Sequence, residues 1–132
     1  MRPGTVDPKT FKQHLEYMTV NLEDGFTSVP TVAGMSVRVL TGTLDKEGKR
    51  GSITRLIKWA PGTALDRVVE HDCYHEVLVL TGTLLAATPE QPTDFKSFPA
   101  LSFATRPPGA AHGPYRAGSD GCVLLETKYY IA

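Results

Sequence analysis

Cysteine is scarce in this 132-residue chain, in which Cys73 and Cys122 are the only two. A single possible pair excludes a disulfide-rich scaffold. The first residues, "MRPGTVDPKTFKQHLEYM", also lack the apolar stretch of a secretory leader. We therefore expect a cytoplasmic location, in which both cysteines are free thiols.

Net charge is absent as well, because 14 Lys and Arg residues balance 14 Asp and Glu residues. No uniform positive field attracts nucleic acid or an anionic membrane, and no apolar run reaches the length of a transmembrane helix. We expect neither nucleic acid nor membrane as a partner. A chain of this length is typical of one domain with a sizeable core.

Apolar residues instead recur with a period of two, in short runs that end at glycine and proline. The clearest runs are "MSVRVLTGTL", "SITRLIKW", "EVLVLTGTLLAA" and "CVLLETKYYIA". This pattern predicts an all-β sandwich or barrel over residues 31–132. The hexapeptide "VLTGTL" occurs at 39–44 and 79–84, and each copy predicts a strand with its glycine at a bend or bulge.

Residues 1–30 are expected to form an N-terminal extension that contains one short helix. Over residues 7–18, Asp7 suits a helix cap and Pro8 suits the first turn. Phe11, Leu15 and Met18 would then share one face. His14 lies inside this segment and is expected to be an ordinary surface or packing residue.

Three of the four histidines lie beside strand and turn signals. His71 and His75 belong to "VEHDCYHEVLVLTG", where an extended chain would point residues 71, 73 and 75 the same way. A turn through residues 72–74 would break this parity without keeping the imidazoles apart. His112 follows the rigid turn "RPPGAA". Because imidazole is the commonest metal ligand, the three histidines are candidate ligands of one metal ion.

The segments "PGTALDRVVEHDCYHEVLVLTGTL" and "PPGAAHGPY" resemble the two signature motifs of the cupin superfamily. In particular, "RPPGAAHGPYRAGSDGCVLLETKYY" resembles the cupin domain of the anti-sigma-factor type. The resemblance implies a double-stranded β-helix, or jelly-roll barrel, that holds one divalent transition metal per chain in its mouth. It also implies a homodimer. Apolar residues such as Val69, Val77, Leu101 and Phe103 would form the barrel wall.

The first motif departs from the usual cupin spacing, so two ligand sets stay open. Counting back from Gly82 gives His71, His75 and His112. Counting forward from Gly62 places Glu70 where His71 would otherwise stand, so that Glu70 is the rival ligand. Glu76 follows the assigned ligand in either register and is expected to support it from behind.

A site of three neutral imidazoles leaves a bound metal most of its charge and keeps positions open for a small molecule. Zn²⁺ would favour isomerase or lyase steps and Fe²⁺ would favour a dioxygenase of carbonyl compounds, while Mn²⁺ and Ni²⁺ also suit these ligands. We therefore expect a small-molecule metalloenzyme. The alternative is a non-catalytic sensor or regulatory module that binds a metal or a ligand.

Overall fold

The structure is a computed structural model that describes residues 2–131, and its regular elements are all β-strands. In chain order the strands are β1 (Thr27–Ser28), β2 (Met35–Asp45), β3 (Arg50–Trp59), β4 (Ala64–Leu65), β5 (Val69–Glu70), β6 (Tyr74–Thr88), β7 (Gln91–Pro99), β8 (Phe103–Arg106), β9 (Ala111–His112) and β10 (Tyr115–Tyr129). The predicted all-β class is confirmed.

Every strand pairing in the structure is antiparallel. The main sheet runs in the order β1-β2-β3-β10-β6-β7, while β4 pairs with β10 and β8 pairs with β6. A separate two-stranded sheet joins β5 to β9. The two longest strands, β6 and β10, lie side by side at the centre and carry most of the buried side chains, as their apolar composition predicts.

The hydrophobic core lies on the inner faces of β3, β6 and β10. Trp59 from β3 and Tyr115 from β10 meet edge to face with ring centroids 6.4 Å apart. Around them pack buried residues from all three strands, namely Ile57, Val77, Val79, Leu84, Ala117, Cys122 and Leu124. Cys122 and Cys73 are both buried free thiols, as the sequence predicts.

The helix predicted over residues 7–18 is wrong. The Asp7 side chain does accept hydrogen bonds from the backbone N–H of Lys9 and the hydroxyl of Thr10. The backbone N–H of Phe11 donates to the Asp7 carbonyl, but the chain makes only this single turn. Phe11 then takes a positive φ of 63° and Gln13 donates its backbone N–H to the Thr41 side chain. Contacts with the outer strands thus replace continued helical bonds. None of the described residues forms a helix able to cross a membrane.

The two "VLTGTL" copies behave as predicted, with a glycine at a backbone irregularity in each. Gly42 in β2 has φ 91° and Gly82 in β6 has φ 74°, a region that side chains disfavour. The neighbouring strand also approaches closely, since a Cβ on Gly82 would lie 2.1 Å from the Gly121 carbonyl oxygen. Strand pairing shifts register beside both glycines.

Candidate metal centre

Two sheets meet at one end of the molecule and place the three histidines there. In the small sheet Val69 pairs with His112, so the end of β9 lies beside the start of β5. His71 follows β5 directly, and a bend at residues 72–73 leads into β6, where His75 is the second residue. The strand therefore breaks between His71 and His75, and the two imidazoles still converge.

The three imidazoles form a compact cluster. One ligating atom from each of His71, His75 and His112 lies within 4.8 Å of the others. The ring centroids are 4.9 Å apart for His71 and His75, and 5.3 Å apart for each pair that includes His112. Nitrogens that share one metal at about 2.1 Å are at most about 4.2 Å apart. Small side-chain adjustments would therefore bring all three onto one ion.

Burial keeps the imidazoles of His71 and His112 neutral. It lowers the pKa of His71 to about 4, and the positive charge of Lys128 acts in the same direction. It lowers the pKa of His112 to about 3, aided by the charge of Arg106. Neutral imidazole is the form that binds a metal, so both residues are ready to ligate near neutral pH without losing a proton.

His112 carries the most direct sign of a missing ligand. Its Nδ1 is hydrogen-bonded to the hydroxyl of Tyr115. Its Nε2 is shielded from solvent and has no hydrogen-bond partner among residues 2–131. A buried nitrogen without a partner is costly, and a metal ion at Nε2 would satisfy it. The Tyr115 contact would then hold the ring in the required orientation, so the residues present fit a metal.

Glu126 from β10 holds His75 from behind. Its Oε2 lies 2.7 Å from His75 Nε2, and both side chains are almost fully buried. Its other oxygen accepts a hydrogen bond from Arg55, which stands directly opposite on β3. Burial raises the pKa of Glu126, but the bond from His75 and the charges of Lys128 and Arg55 outweigh it and lower the pKa to about 2. Glu126 is therefore an anion that accepts a hydrogen bond from His75.

Arg106 closes the cluster from β8, where it pairs directly with His75. One guanidinium nitrogen donates to His75 Nδ1 at 3.3 Å and another donates to the Tyr115 hydroxyl at 2.8 Å. Because arginine can only donate, Nδ1 is the accepting nitrogen of His75 and Nε2–H points to Glu126. A metal at Nδ1 would therefore have to replace the hydrogen bond from Arg106.

The other residues singled out in the sequence lie outside the histidine cluster. Glu70, the rival ligand, is exposed on β5. Cys73 is buried at the bend, where burial raises the pKa of its thiol. Glu76 accepts a hydrogen bond from Thr105 and forms none with the three histidines. Glu126, and not Glu76, is thus the carboxylate in contact with a candidate ligand.

A cavity of about 220 Å³ opens onto the histidines. Val69 and Val77 line it, as predicted for the barrel wall, together with Trp59 and Ile57. Leu101, in the turn before β8, does not line it and is 78% exposed, so that residue of the predicted wall is wrong. Phe103, the first residue of β8, is 61% exposed and lines a neighbouring cavity that also reaches His112.

Sequence reasoning missed Glu126, Arg55 and Arg106. The signal in β10 was present, because Glu126 and Lys128 stand two residues apart in the otherwise uncharged segment "LLETK". Within the predicted strand "CVLLETKYYIA", Leu124, Glu126 and Lys128 face the cavity. A charged residue on a cavity-facing strand position is the mark that identifies Glu126.

Solved structures of low sequence identity share this architecture. An RmlC-like cupin from Shewanella frigidimarina NCIMB 400 is 15% identical, with a TM-score of 0.62 over 88% of this chain and 92% of that one. An acetylacetone dioxygenase from Acinetobacter johnsonii is 19% identical, with a TM-score of 0.61 over 92% of this chain and 82% of that one. The structure of Rhodobacter sphaeroides SigE in complex with the anti-sigma ChrR is 21% identical, with a TM-score of 0.60 over 82% of this chain and 50% of that one.

These likenesses define the class of protein as a jelly-roll barrel. No protein-family model and no curated protein matches the chain in sequence. The chain has the cupin fold, which confirms the predicted architecture. At sequence identities below 25%, structural similarity shows a shared fold only, so the chemistry has to be argued from the residues of the site.

Proposed function

We propose that the protein is a metal-dependent cupin enzyme that acts on a small organic molecule in the cavity beside His71, His75 and His112. The observation that carries the proposal is the buried His112 Nε2, which has no hydrogen-bond partner among residues 2–131 and lies in a cluster of three converging imidazoles. A buried nitrogen without a hydrogen-bond partner is costly, and a purely structural role for His112 does not offset this cost.

The metal would supply Lewis acidity, and with Fe²⁺ also redox chemistry, to a carbonyl compound bound beside it. The chain's own residues then have separate tasks. Glu126 holds the His75 ring, Tyr115 holds the His112 ring, and the apolar wall around Trp59 excludes water from the small molecule. Fe²⁺ would fit a dioxygenase of carbonyl compounds, as one of the resembling structures is, and Zn²⁺ would fit an isomerase or lyase.

The test is reconstitution of metal-free protein with one equivalent of Fe²⁺, Zn²⁺, Mn²⁺ or Ni²⁺. Each form is then assayed with a panel of small carbonyl compounds for oxygen uptake and for isomerised or cleaved products. We expect turnover with one metal, and its loss in His112→Ala. The matched control is His14→Ala, which removes a histidine from the N-terminal segment, where His14 contacts Glu16. Turnover that persists without metal would contradict the proposal.

The alternative is a non-catalytic sensor module, and the likeness to the SigE and anti-sigma ChrR structure favours it. A sensor would bind the same metal or a small ligand and change a protein contact instead of a substrate. Pull-down of partner proteins with metal-free and metal-loaded chain separates the two. A partner that binds only one form, with no turnover in any assay, would support the sensor.

A further inference from the structure

Positive charge collects in the cavity of a chain whose overall charge is balanced. Four basic side chains line the cavity, namely Arg55, Arg67, Arg106 and Lys128, and Glu126 is the one carboxylate among the lining residues. Arg55 forms an ion pair with Glu126, so these two charges offset each other. Three positive charges are left around a space of about 220 Å³.

Those three charges have no carboxylate partner. Among the residues that the structure describes, no ion pair includes Arg67, Arg106 or Lys128. Arg106 and Lys128 are also partly buried, and burial lowers the pKa of Lys128. Unpaired charge held away from water is costly, and an anion in the cavity would offset that cost.

Much of the rest of the wall is apolar, and it includes a buried donor without a partner. Met35, Ile57, Leu65 and Leu124 line the cavity beside Trp59. The indole N–H of Trp59 is shielded from solvent and has no acceptor among residues 2–131. A small molecule that matches both the apolar residues and the hydrogen-bond donors of the cavity has an apolar body and at least one oxygen that accepts hydrogen bonds.

We propose that this cavity binds a small organic anion, with an acid group or enolate oxygen toward Arg106 and Lys128 and an apolar body against Trp59. Arg106 is suited to this role because its contacts in the structure are to neutral acceptors, His75 and Tyr115. A carboxylate would form stronger, charge-assisted bonds with the same guanidinium and draw it away from His75 Nδ1. The proposal deepens the proposed function, since it names the class of small molecule that meets the metal.

The test uses a matched pair of probes, cyclohexanecarboxylate and its neutral amide. Trp59 is the only tryptophan in the chain and lines the cavity, so its fluorescence reports occupancy. Each probe is titrated into metal-free and Zn²⁺-loaded protein at low and high salt. We expect the acid to bind at least about tenfold more tightly than the amide in both forms, because charge-assisted hydrogen bonds are lost with the amide. The preference should shrink at high salt.

Two variants and one control locate the binding. Arg106→Gln and Lys128→Gln should each weaken the acid about tenfold and leave the amide unchanged. Arg116→Gln is the control, because Arg116 is exposed on β10, pairs with Asp66 and does not line the cavity. Far-ultraviolet circular dichroism checks that each variant is folded. Equal affinity for acid and amide, no binding of the acid, or acid binding that both variants leave intact would overturn the proposal.

The metal-free arm separates this proposal from the proposed function. Acid binding that survives in a protein unable to hold metal keeps the anion site and removes the metalloenzyme. A protein that binds metal and does not prefer the acid keeps the metalloenzyme and removes the anion site. Acid binding seen only with Zn²⁺, and unchanged in Arg106→Gln and Lys128→Gln, would mean that the metal alone holds the acid and would overturn the proposal.

Discussion

A row of polar side chains runs across four neighbouring strands and includes His75 of the candidate metal centre. Arg55 on β3 stands opposite Glu126 on β10, and Glu126 reaches diagonally to His75 on β6. His75 in turn stands opposite Arg106 on β8. Each residue in the row is held by its cross-strand neighbour, so the sheet itself fixes the orientation of the His75 ring.

Glu126 is a residue that positions the His75 ring, and the Glu126→Gln variant tests this role. The neutral side chain is a weaker acceptor for His75 Nε2–H, and it leaves Arg55 half-buried without a counter-charge. We expect Zn²⁺ affinity to fall about 10- to 100-fold. Competition with a chelator of known affinity measures the change.

Glu76→Gln is the matched control, because Glu76 is on β6 beside His75 and contacts Thr105 instead of a histidine. Its Zn²⁺ affinity should equal that of the wild type. A Glu126→Gln protein that is folded and binds Zn²⁺ as tightly as the wild type would contradict the positioning role.

The histidines also predict how stability depends on pH. The pKa values of about 4 for His71 and about 3 for His112 lie below the ordinary value of 6.5, so the unfolded chain takes up these protons first. Stability of the metal-free protein is therefore full above pH 6.5 with respect to these groups and falls as pH drops toward the folded values. Urea unfolding across this range measures the fall. It should be smaller in His112→Ala and unchanged in His14→Ala; a midpoint independent of pH would contradict the assignment.

Among the elements, the long central strands depend on close approach at glycine. Gly82 in β6 and Gly62 in the turn after β3 share a φ of 74°, but only Gly82 faces the backbone of a neighbour, at residues 121–122. A Cβ at Gly62 would meet nothing within 4 Å. The pair therefore separates backbone strain from steric overlap.

We expect Gly62→Ala to lower the free energy of unfolding by about 1–2 kcal/mol, the cost of a left-handed backbone for alanine. Gly82→Ala should cost clearly more, because β10 must move away from β6 to admit the methyl group. Urea denaturation of both variants measures the difference. Equal losses would show that β6 and β10 are less closely packed at this point than the structure has them.

The strands also show which features of the fold and of the site can be predicted from the sequence. Period-two runs located the long strands and the glycine irregularities, since both arise from local stereochemistry. The helix over residues 7–18 failed because Gln13 and Phe11 contact β2 and β3, which no local pattern reveals. His71, His75 and His112 were found by residue type and turn chemistry. The contacts of Glu126 with Arg55, and of Arg106 with His75, depend on the register between strands, which a single sequence does not contain.

For the whole molecule, the homodimer stays a prediction, and an edge strand is where we expect it to form. Of the edges, β7 carries Pro92, Asp94, Lys96 and Pro99, residue types that oppose further strand pairing. A dimer would therefore form through the β1–β2 side of the main sheet. Light scattering should give twice the mass of one chain, and the Val39→Lys variant, which places a charge at an exposed position of β2, should give one. A wild-type mass of a single chain would contradict the dimer.

Elemental analysis of untagged protein shows whether the imidazoles of His71, His75 and His112 bind one metal ion. We expect about one Fe, Zn, Mn or Ni per chain in the wild type and in His14→Ala. The content should fall to near zero in each of His71→Ala, His75→Ala and His112→Ala, since two imidazoles alone bind weakly. A wild-type protein that holds no metal, and takes up none of the four when they are added, would contradict the account.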